Sequence, residues 1–216
     1  MAKEDIYHAK ELKYFQGARN DVVELIPSGP NRILELGCGA GRTLLNARAC
    51  GKAAEIVGID IIPAGDDQQQ LDRYIQADVD TLELPYPHGY FDVIICADVL
   101  EHLVDPWKAV SRLVPFLKSG GTMIASLPNA RDYLMFFAIS IRGDFRYTDE
   151  GLFDRGHLRF FCKKNMRELF EQNGLKVEGF HFRLAKLRKV LNIVSFGLLE
   201  EFLVKQYLVI ARKHGN

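Results

Sequence analysis

The chain reads as an α/β fold: a mainly parallel sheet with helices on both faces. Three observations predict it. Short apolar runs recur along the chain, among them ILEL at 33–36, IVGI at 56–59 and FDVIIC at 91–96, and stretches of helical spacing separate them. Such runs, bounded by turn residues, read as buried strands. Strands that alternate with helices pair in parallel through crossovers, which places helices on both faces of the sheet. The length of 216 residues, 48% of them hydrophobic and 26% charged, suits one soluble globular domain with a core of comfortable size.

Taken in order, residues 5–26 carry apolar positions at mixed helical spacing and end at Pro27, which predicts a helical cover over residues 1–26. Strand one is expected at about 32–36, helix A at 41–50 and strand two at 55–60. Pro63 and Gly65 break the chain before a short helix near 66–71. Strand three follows at 73–77. The loop with Pro85, Pro87 and Gly89 then leads to strand four at 91–96. Asp105-Pro106 starts a helix, with Asp as N-cap and Pro in the first turn, expected to run to Gly120-Gly121 and strand five. Lys163–Asn173 reads as a helix closed by Gly174, and strands near 175–182 and 203–212 complete the pattern. There are no repeats, and nothing marks a second domain within 1–216.

The first strand carries the most information. It holds Glu35 and breaks into a loop with Gly37, Gly39 and Gly41, while strand two closes on Asp60. Glycines let backbone amides approach a ligand closely. An acid at the end of the next strand, about 20 residues on, is placed to accept from ribose hydroxyls. These features point to an adenosine-containing cofactor. The loop does not match the dinucleotide pattern G-x-G-x-x-G, because Arg42 and Thr43 open the helix, so a nicotinamide oxidoreductase is disfavoured. Glu35 would repel a pyrophosphate and attract an ammonium or sulfonium group. S-adenosylmethionine offers a cationic amino-acid end and a neutral nucleoside end.

Several segments in order then carry a family likeness. ILELGCGAG (33–41) resembles motif I of class I S-adenosylmethionine-dependent methyltransferases, and VGIDI (57–61) resembles their ribose-binding strand end. IQADVD (75–80) resembles the adenine-contacting segment, FDVIICADVLEH (91–102) the fourth strand and its active-site end, and GGTMIASLPN (120–129) the fifth strand. The resemblance covers about residues 15–211. It implies a Rossmann-like seven-stranded sheet of order 3-2-1-4-5-7-6, with the seventh strand antiparallel. It also implies S-adenosylmethionine as cofactor, with S-adenosylhomocysteine as product. The cofactor-binding set it implies is Glu35, Gly37, Cys38, Gly39, Gly41, Asp60, Ile61, Asp78, Val79, Ala97 and Asp98, with Asp78 meeting the exocyclic amine. Tyr14, Phe15 and Arg19 either close over the methionine end or form the buried face of the first helix.

Two histidines are candidate catalytic groups. His102 follows Glu101 just after strand four. His157 lies in DRGHLRFF, within an aromatic-rich segment, 129–162, that follows strand five at the edge where ligands bind in open sheets. Such an insertion reads as a substrate wall, or as a lid that only completes the core. His157 serves as general base or substrate ligand, or it staples the loop, with Asp154, Arg155 and Arg159 fixing its orientation in either case. Asp98, Glu101, His102 and His157 together resemble the metal site of small-RNA 2′-O-methyltransferases and some quinone O-methyltransferases. Asp98 is shorter than the Glu usual there, which weighs against a metal. A second candidate wall, 183–200, is a basic amphipathic stretch that reads as an ordinary surface helix in preference to a membrane contact.

The expected activity is methyl transfer to a hydroxyl or amine of a small-molecule or glycan-linked acceptor. YTDEGLFDRGHLRFF with NGLKVEGF resembles methyltransferases of polysaccharide and secondary-metabolite pathways. Quinone-type O-methylation is the nearest rival, and a cofactor-binding module without turnover is another. Formal net charge is zero, which argues against a broad basic face for nucleic acid. Cysteines 38, 50, 96 and 162 lack metal-type spacing and read as reduced thiols of a cytoplasmic protein. The start, MAKEDIYHAKELKYF, lacks the apolar core of a signal peptide, and the apolar stretch 133–141 is too short to span a bilayer.

Overall fold

A computed structural model describes residues 17–79 and 83–215. The strands are β1 (Asn31–Leu36), β2 (Ala53–Asp60), β3 (Arg73–Gln76), β4 (Phe91–Ala97), β5 (Leu117–Pro128), β6 (Leu175–His181) and β7 (Gln206–Lys213). They form one sheet of order β3-β2-β1-β4-β5-β7-β6. Strands β1 to β5 pair in parallel, and β7 runs antiparallel to both β5 and β6. This is the order expected from the resemblance. Because β1 and its two neighbours run the same way, the carboxyl ends of β1, β2 and β4 meet at one edge.

The helices are α1 (Asn20–Leu25), α2 (Arg42–Ala49), α3 (Pro106–Leu113), α4 (Tyr133–Ser140), α5 (Lys163–Glu171), α6 (Lys186–Val194) and α7 (Glu200–Leu203). Alternation along the strands divides the core into two layers. Ile33, Val93 and Ile95 pack on one face with Val22 and Val23 of α1 and Leu44 and Ala47 of α2. Leu34, Leu36, Ile94 and Cys96 pack on the other with Val110 and Leu113 of α3 and Met166, Leu169 and Phe170 of α5. Both faces being covered explains why these strands read as continuous apolar runs.

Several boundaries differ from the sequence expectation, each for a local reason. The helix that starts with Asp105 as N-cap, its carboxylate accepting from the Lys108 amide at 2.9 Å, ends at Leu113. Pro115 brings a 3₁₀ turn at Val114–Phe116, and the Gly120-Gly121 pair lies inside β5, with Gly120 at φ +72°. The helix expected near 66–71 is a 3₁₀ turn at Gln68–Gln70. The helix expected over 183–200 splits at Phe196-Gly197, both at positive φ, and the α7 turn delays β7 to Gln206. Of the expected cover over 5–26, Asn20–Leu25 is helical; residues 1–16, with Tyr14 and Phe15, lie outside the described residues, as do 80–82.

Gly58, inside β2, marks how tightly the glycine loop sits on the sheet. A Cβ there would stand 2.6 Å from Cys38 Sγ and 2.8 Å from Leu71 Cδ1. Gly58→Ala should therefore destabilise the fold by about 1–3 kcal/mol through overpacking. Urea unfolding measures this, and an unchanged midpoint would show that the loop yields freely.

Candidate functional site

At the carboxyl edge, β1 gives way to the loop 37–41, whose three glycines all adopt positive φ: +67° at Gly37, +52° at Gly39 and +75° at Gly41. L-residues with a Cβ avoid this region. Space adds to the demand at Gly37, where a Cβ would meet Val99 at 3.0 Å. The Asp60 carboxylate braces the loop from the end of β2. It accepts from the Gly39 amide at 2.7 Å and, with its other oxygen, from the Ile61 amide at 2.7 Å and the Ile62 amide at 3.3 Å. Burial raises the pKa of Asp60, and these amide hydrogen bonds only partly offset it.

A cavity of about 270 Å³ opens over this loop. Glu35, Gly37, Cys38, Gly39, Asp60, Ile61, Asp78, Val79, Ala97, Asp98 and His102 all line it. Gly41 stands behind the loop as the N-cap of α2, against Leu71. Arg19 also lines the cavity and reaches across the edge. It pairs with Asp98 and with Asp21 (2.9 Å) and donates to Ser126 Oγ at 3.2 Å. Burial works against its charge, yet Asp21 and Asp98 outweigh burial and raise its pKa.

Glu35 is 3% exposed, and one of its oxygens, Oε2, has no hydrogen-bond partner. Burial first, then the charge of Asp60, pushes its carboxyl up to about 8. An orphaned buried carboxylate oxygen on the wall of a cavity calls for a cationic donor. A ligand with an ammonium end and a ribose fits this donor set: Glu35 and Asp60 supply acceptors, and the glycines leave room for close approach. The thiols beside the site are neutral, because burial raises Cys38 and pushes Cys96 up to about 12. All four cysteines are free.

A second cavity, of about 300 Å³, lies on the other side of Asp98 and is lined by Asp98, Glu101, Pro128, Gly151, Leu152, His157, Lys205 and Gln206. Asp98 holds the partition between the cavities. It sits at φ +54° and accepts from Ser126 Oγ at 2.9 Å and from Gln206 as well as from Arg19. Such strain in a non-glycine residue persists only where surrounding contacts over-determine it. Ser126, Gln206 and Thr43, which accepts from the Arg19 amide, are absent from the sequence-based set. Ser126 alone carried a signal, standing in the fifth-strand segment.

The loop carrying His157 is tied to the end of β4. The Glu101 carbonyl accepts from the amides of Leu158 (2.8 Å) and Arg159 (3.0 Å), and His102 Nδ1 lies 2.8 Å from the Gly156 carbonyl. Fully buried Asp154 turns the loop, accepting from the Gly156 amide at 2.7 Å. The expected help from two arginines differs: Arg155 pairs with Asp149 and Arg159 donates to the Val104 carbonyl. The rings of His102 and His157 stand 4.8 Å apart, edge to face. Ligand atoms of Glu101, His102 and His157 lie within 4.8 Å of one another. Glu101 Oε2 also lacks a partner, and burial, then the charge of Asp98, raises that carboxyl well above the usual range. Of the four residues grouped from the sequence, these three come together, while Asp98 is committed to Arg19, Ser126 and Gln206.

The family model described as a methyltransferase domain matches residues 9–179. A ubiquinone biosynthesis O-methyltransferase of Vibrio cholerae is 26% identical over 161 residues, covering 68% of this chain and 62% of that protein. One of the same name from Xylella fastidiosa is 34% identical over 131 residues, covering 56% of this chain and 51% of that protein. The chain thus spans between half and two thirds of these relatives. The structure of an S-adenosylmethionine-dependent methyltransferase from Mesorhizobium loti superposes with a TM-score of 0.64 at 18% identity, covering 92% of this chain and all of that one.

The raised pKa of Glu35 has a measurable consequence in the ligand-free protein. Between its ordinary value of 4.5 and about 8, the unfolded chain gives up this proton while the folded chain keeps it. Stability from this group is therefore full at low pH and falls as pH rises to about 8, by at most ~1.4 kcal/mol per pH unit. Glu35→Gln should remove this dependence, so the variant gains on the wild type between pH 5 and 8 in denaturant unfolding. Parallel curves would show that Glu35 folds already ionised.

Proposed function

This chain belongs to the methyltransferase-domain family, and we propose that it transfers a methyl group from S-adenosylmethionine to a hydroxyl, or an amine, of a small-molecule or glycan-linked acceptor. The observation that carries this reading is the pair of cavities joined at Asp98. One holds the unpartnered Glu35 oxygen and the braced glycine loop; the other holds Glu101 and His157. S-adenosylmethionine supplies an electrophilic methyl carbon on a cationic sulfur and leaves as S-adenosylhomocysteine.

The chain's residues bind, orient and move a proton. Glu35 neutralises the ammonium end of the ligand, and Asp60 accepts from ribose hydroxyls. Asp78 accepts from the exocyclic amine, with Ile61 and Val79 against the flat base. Ala97 and Asp98 border the methionine side and fix the passage toward the acceptor. His157 takes the acceptor's proton as the new bond to carbon forms, and His102, anchored on the Gly156 carbonyl, positions the loop. A quinone-type hydroxyl acceptor is a second reading, supported by the names of the V. cholerae and X. fastidiosa relatives. A divalent metal on Glu101, His102 and His157 is favoured by their proximity. Two imidazoles and a carboxylate suit a transition-metal ion, which would supply Lewis acidity at the acceptor oxygen.

Calorimetric titration tests the cofactor assignment. The wild type should bind S-adenosylmethionine and S-adenosylhomocysteine, and Asp60→Ala should weaken both by roughly 10–100-fold, the worth of hydrogen bonds to a charged group. Unchanged affinity would remove Asp60 from the ribose site.

The acceptor side is tested by methyl transfer to sugar hydroxyls, small phenols and catechols, measured in chelator and then with added Zn²⁺ or Mg²⁺. His157→Ala should lower kcat by about 10²–10⁴-fold at unchanged affinity for S-adenosylhomocysteine. Transfer only to catechols selects the quinone-type reading, and transfer only with added ion selects the metal. Binding without transfer to any acceptor class would leave a cofactor-binding module.

A further inference from the structure

Helix α6 is turned against the usual rule. Leu187, Val190, Leu191 and Val194 follow the i, i+3, i+4, i+7 spacing of an apolar stripe, yet all four are exposed. Arg188 and Asn192 are the half-buried residues of this helix and the others are exposed, so the inward face is polar. Arg188 reaches in to the fully buried Asp132 at 2.8 Å, to the Leu203 carbonyl at 2.7 Å and over the Tyr133 ring. Beyond the helix, Phe196 is 95% exposed and Leu198 84%. The fold therefore anchors α6 by its arginine and presents the apolar stripe outward.

Helix α4 continues the same surface. It is apolar all round, a composition that normally demands burial, yet only Met135 is buried. Phe136, Phe137 and Ile139 are exposed, as is Ile141 just beyond. Contacts of Arg188 with Asp132 and Tyr133, and of Phe136 with Phe202 at 6.0 Å, place α4 beside α6 and α7.

We infer that this joined face of α4 and α6 seats on an anionic lipid bilayer surface. Charge argues for that occupant. Residues 179–199 contain no acid; of their four lysines and arginines, Arg188 turns inward to Asp132 and Arg183 pairs with Glu24, which leaves the charges of Lys186 and Lys189, and residues 133–143 contain no acid and one arginine, Arg142. Lys186 and Lys189 stand exposed beside the stripe. Exposed apolar residues with lysines at their margin are the signature of an interfacial helix. A second copy of the chain would be less well matched, since a two-fold contact brings the same lysines toward each other. The face rests on the surface and does not cross it: among the described residues no helix is long and apolar enough to span a membrane. The acceptor cavity lies beside this face. Pro128 on its wall precedes α4 by five residues, and Lys205 and Gln206 follow α7 after a single residue, Val204.

Co-sedimentation with vesicles tests this, using phosphatidylcholine alone and phosphatidylcholine mixed with phosphatidylglycerol. The wild-type chain should bind the mixed vesicles at least about tenfold more tightly, with affinity falling as salt rises. Leu187→Glu with Val190→Glu should abolish binding at an unchanged urea midpoint. Lys186→Gln and Lys189→Gln should each weaken it by about fivefold. This readout is independent of methyl transfer. No binding to mixed vesicles, equal binding to both kinds, or full binding by the double glutamate variant would each overturn the inference. So would a solution dimer that the double glutamate variant dissociates, because a second copy would then be what covers the face.

Discussion

Three carboxylates, those of Glu35, Asp60 and Asp98, gather at one edge of the sheet with a single guanidinium, Arg19, reaching among them. Carboxylates held close and away from water repel, and each raises the cost of ionising its neighbour. The chain answers this differently at each position. Asp98 receives Arg19, Ser126 and Gln206. Asp60 is held by three backbone amides of the turns it braces. Glu35 is left with a bare oxygen and a carboxyl pushed up to about 8. The edge is therefore assembled but electrostatically incomplete, which is the condition a cationic ligand relieves.

The same arrangement links the two cavities. Asp98 belongs to the walls of both cavities, and the contacts that hold its positive φ come from β5, β7 and the segment before α1. Backbone hydrogen bonds from the Leu158 and Arg159 amides to the Glu101 carbonyl clamp the insertion to the end of β4. His157 is thus held near its partners by main-chain geometry. Rigid placement of this kind is what the proposed methyl transfer requires, since errors of an ångström are costly in a displacement. The insertion also carries α4, so the segment that lines the second cavity is the one that exposes apolar surface beside it.

Much of this was determined by the sequence alone. The buried parallel strands were legible because a strand covered on both faces must be apolar throughout, and the glycine loop because glycine suits the alternate positive-φ positions 37, 39 and 41, two of them against Val99 and Leu71. Those two local demands place Glu35 and Asp60 with no knowledge of the rest. The family resemblance, with the residues' place after strand four and in the inserted segment, also pointed to Asp98, Glu101, His102 and His157 as a group. What only the tertiary structure decided was partnership. His157 lies 55 residues beyond His102, and no local pattern reports that a loop after strand five folds back on the end of strand four. Asp98 could not be separated from its neighbours until Arg19, 79 residues earlier, was seen to claim it. The outward face of α6 was equally hidden, because periodicity gives a helix its stripe but not the direction of that stripe. Here one buried ion pair, Arg188 with Asp132, sets that direction.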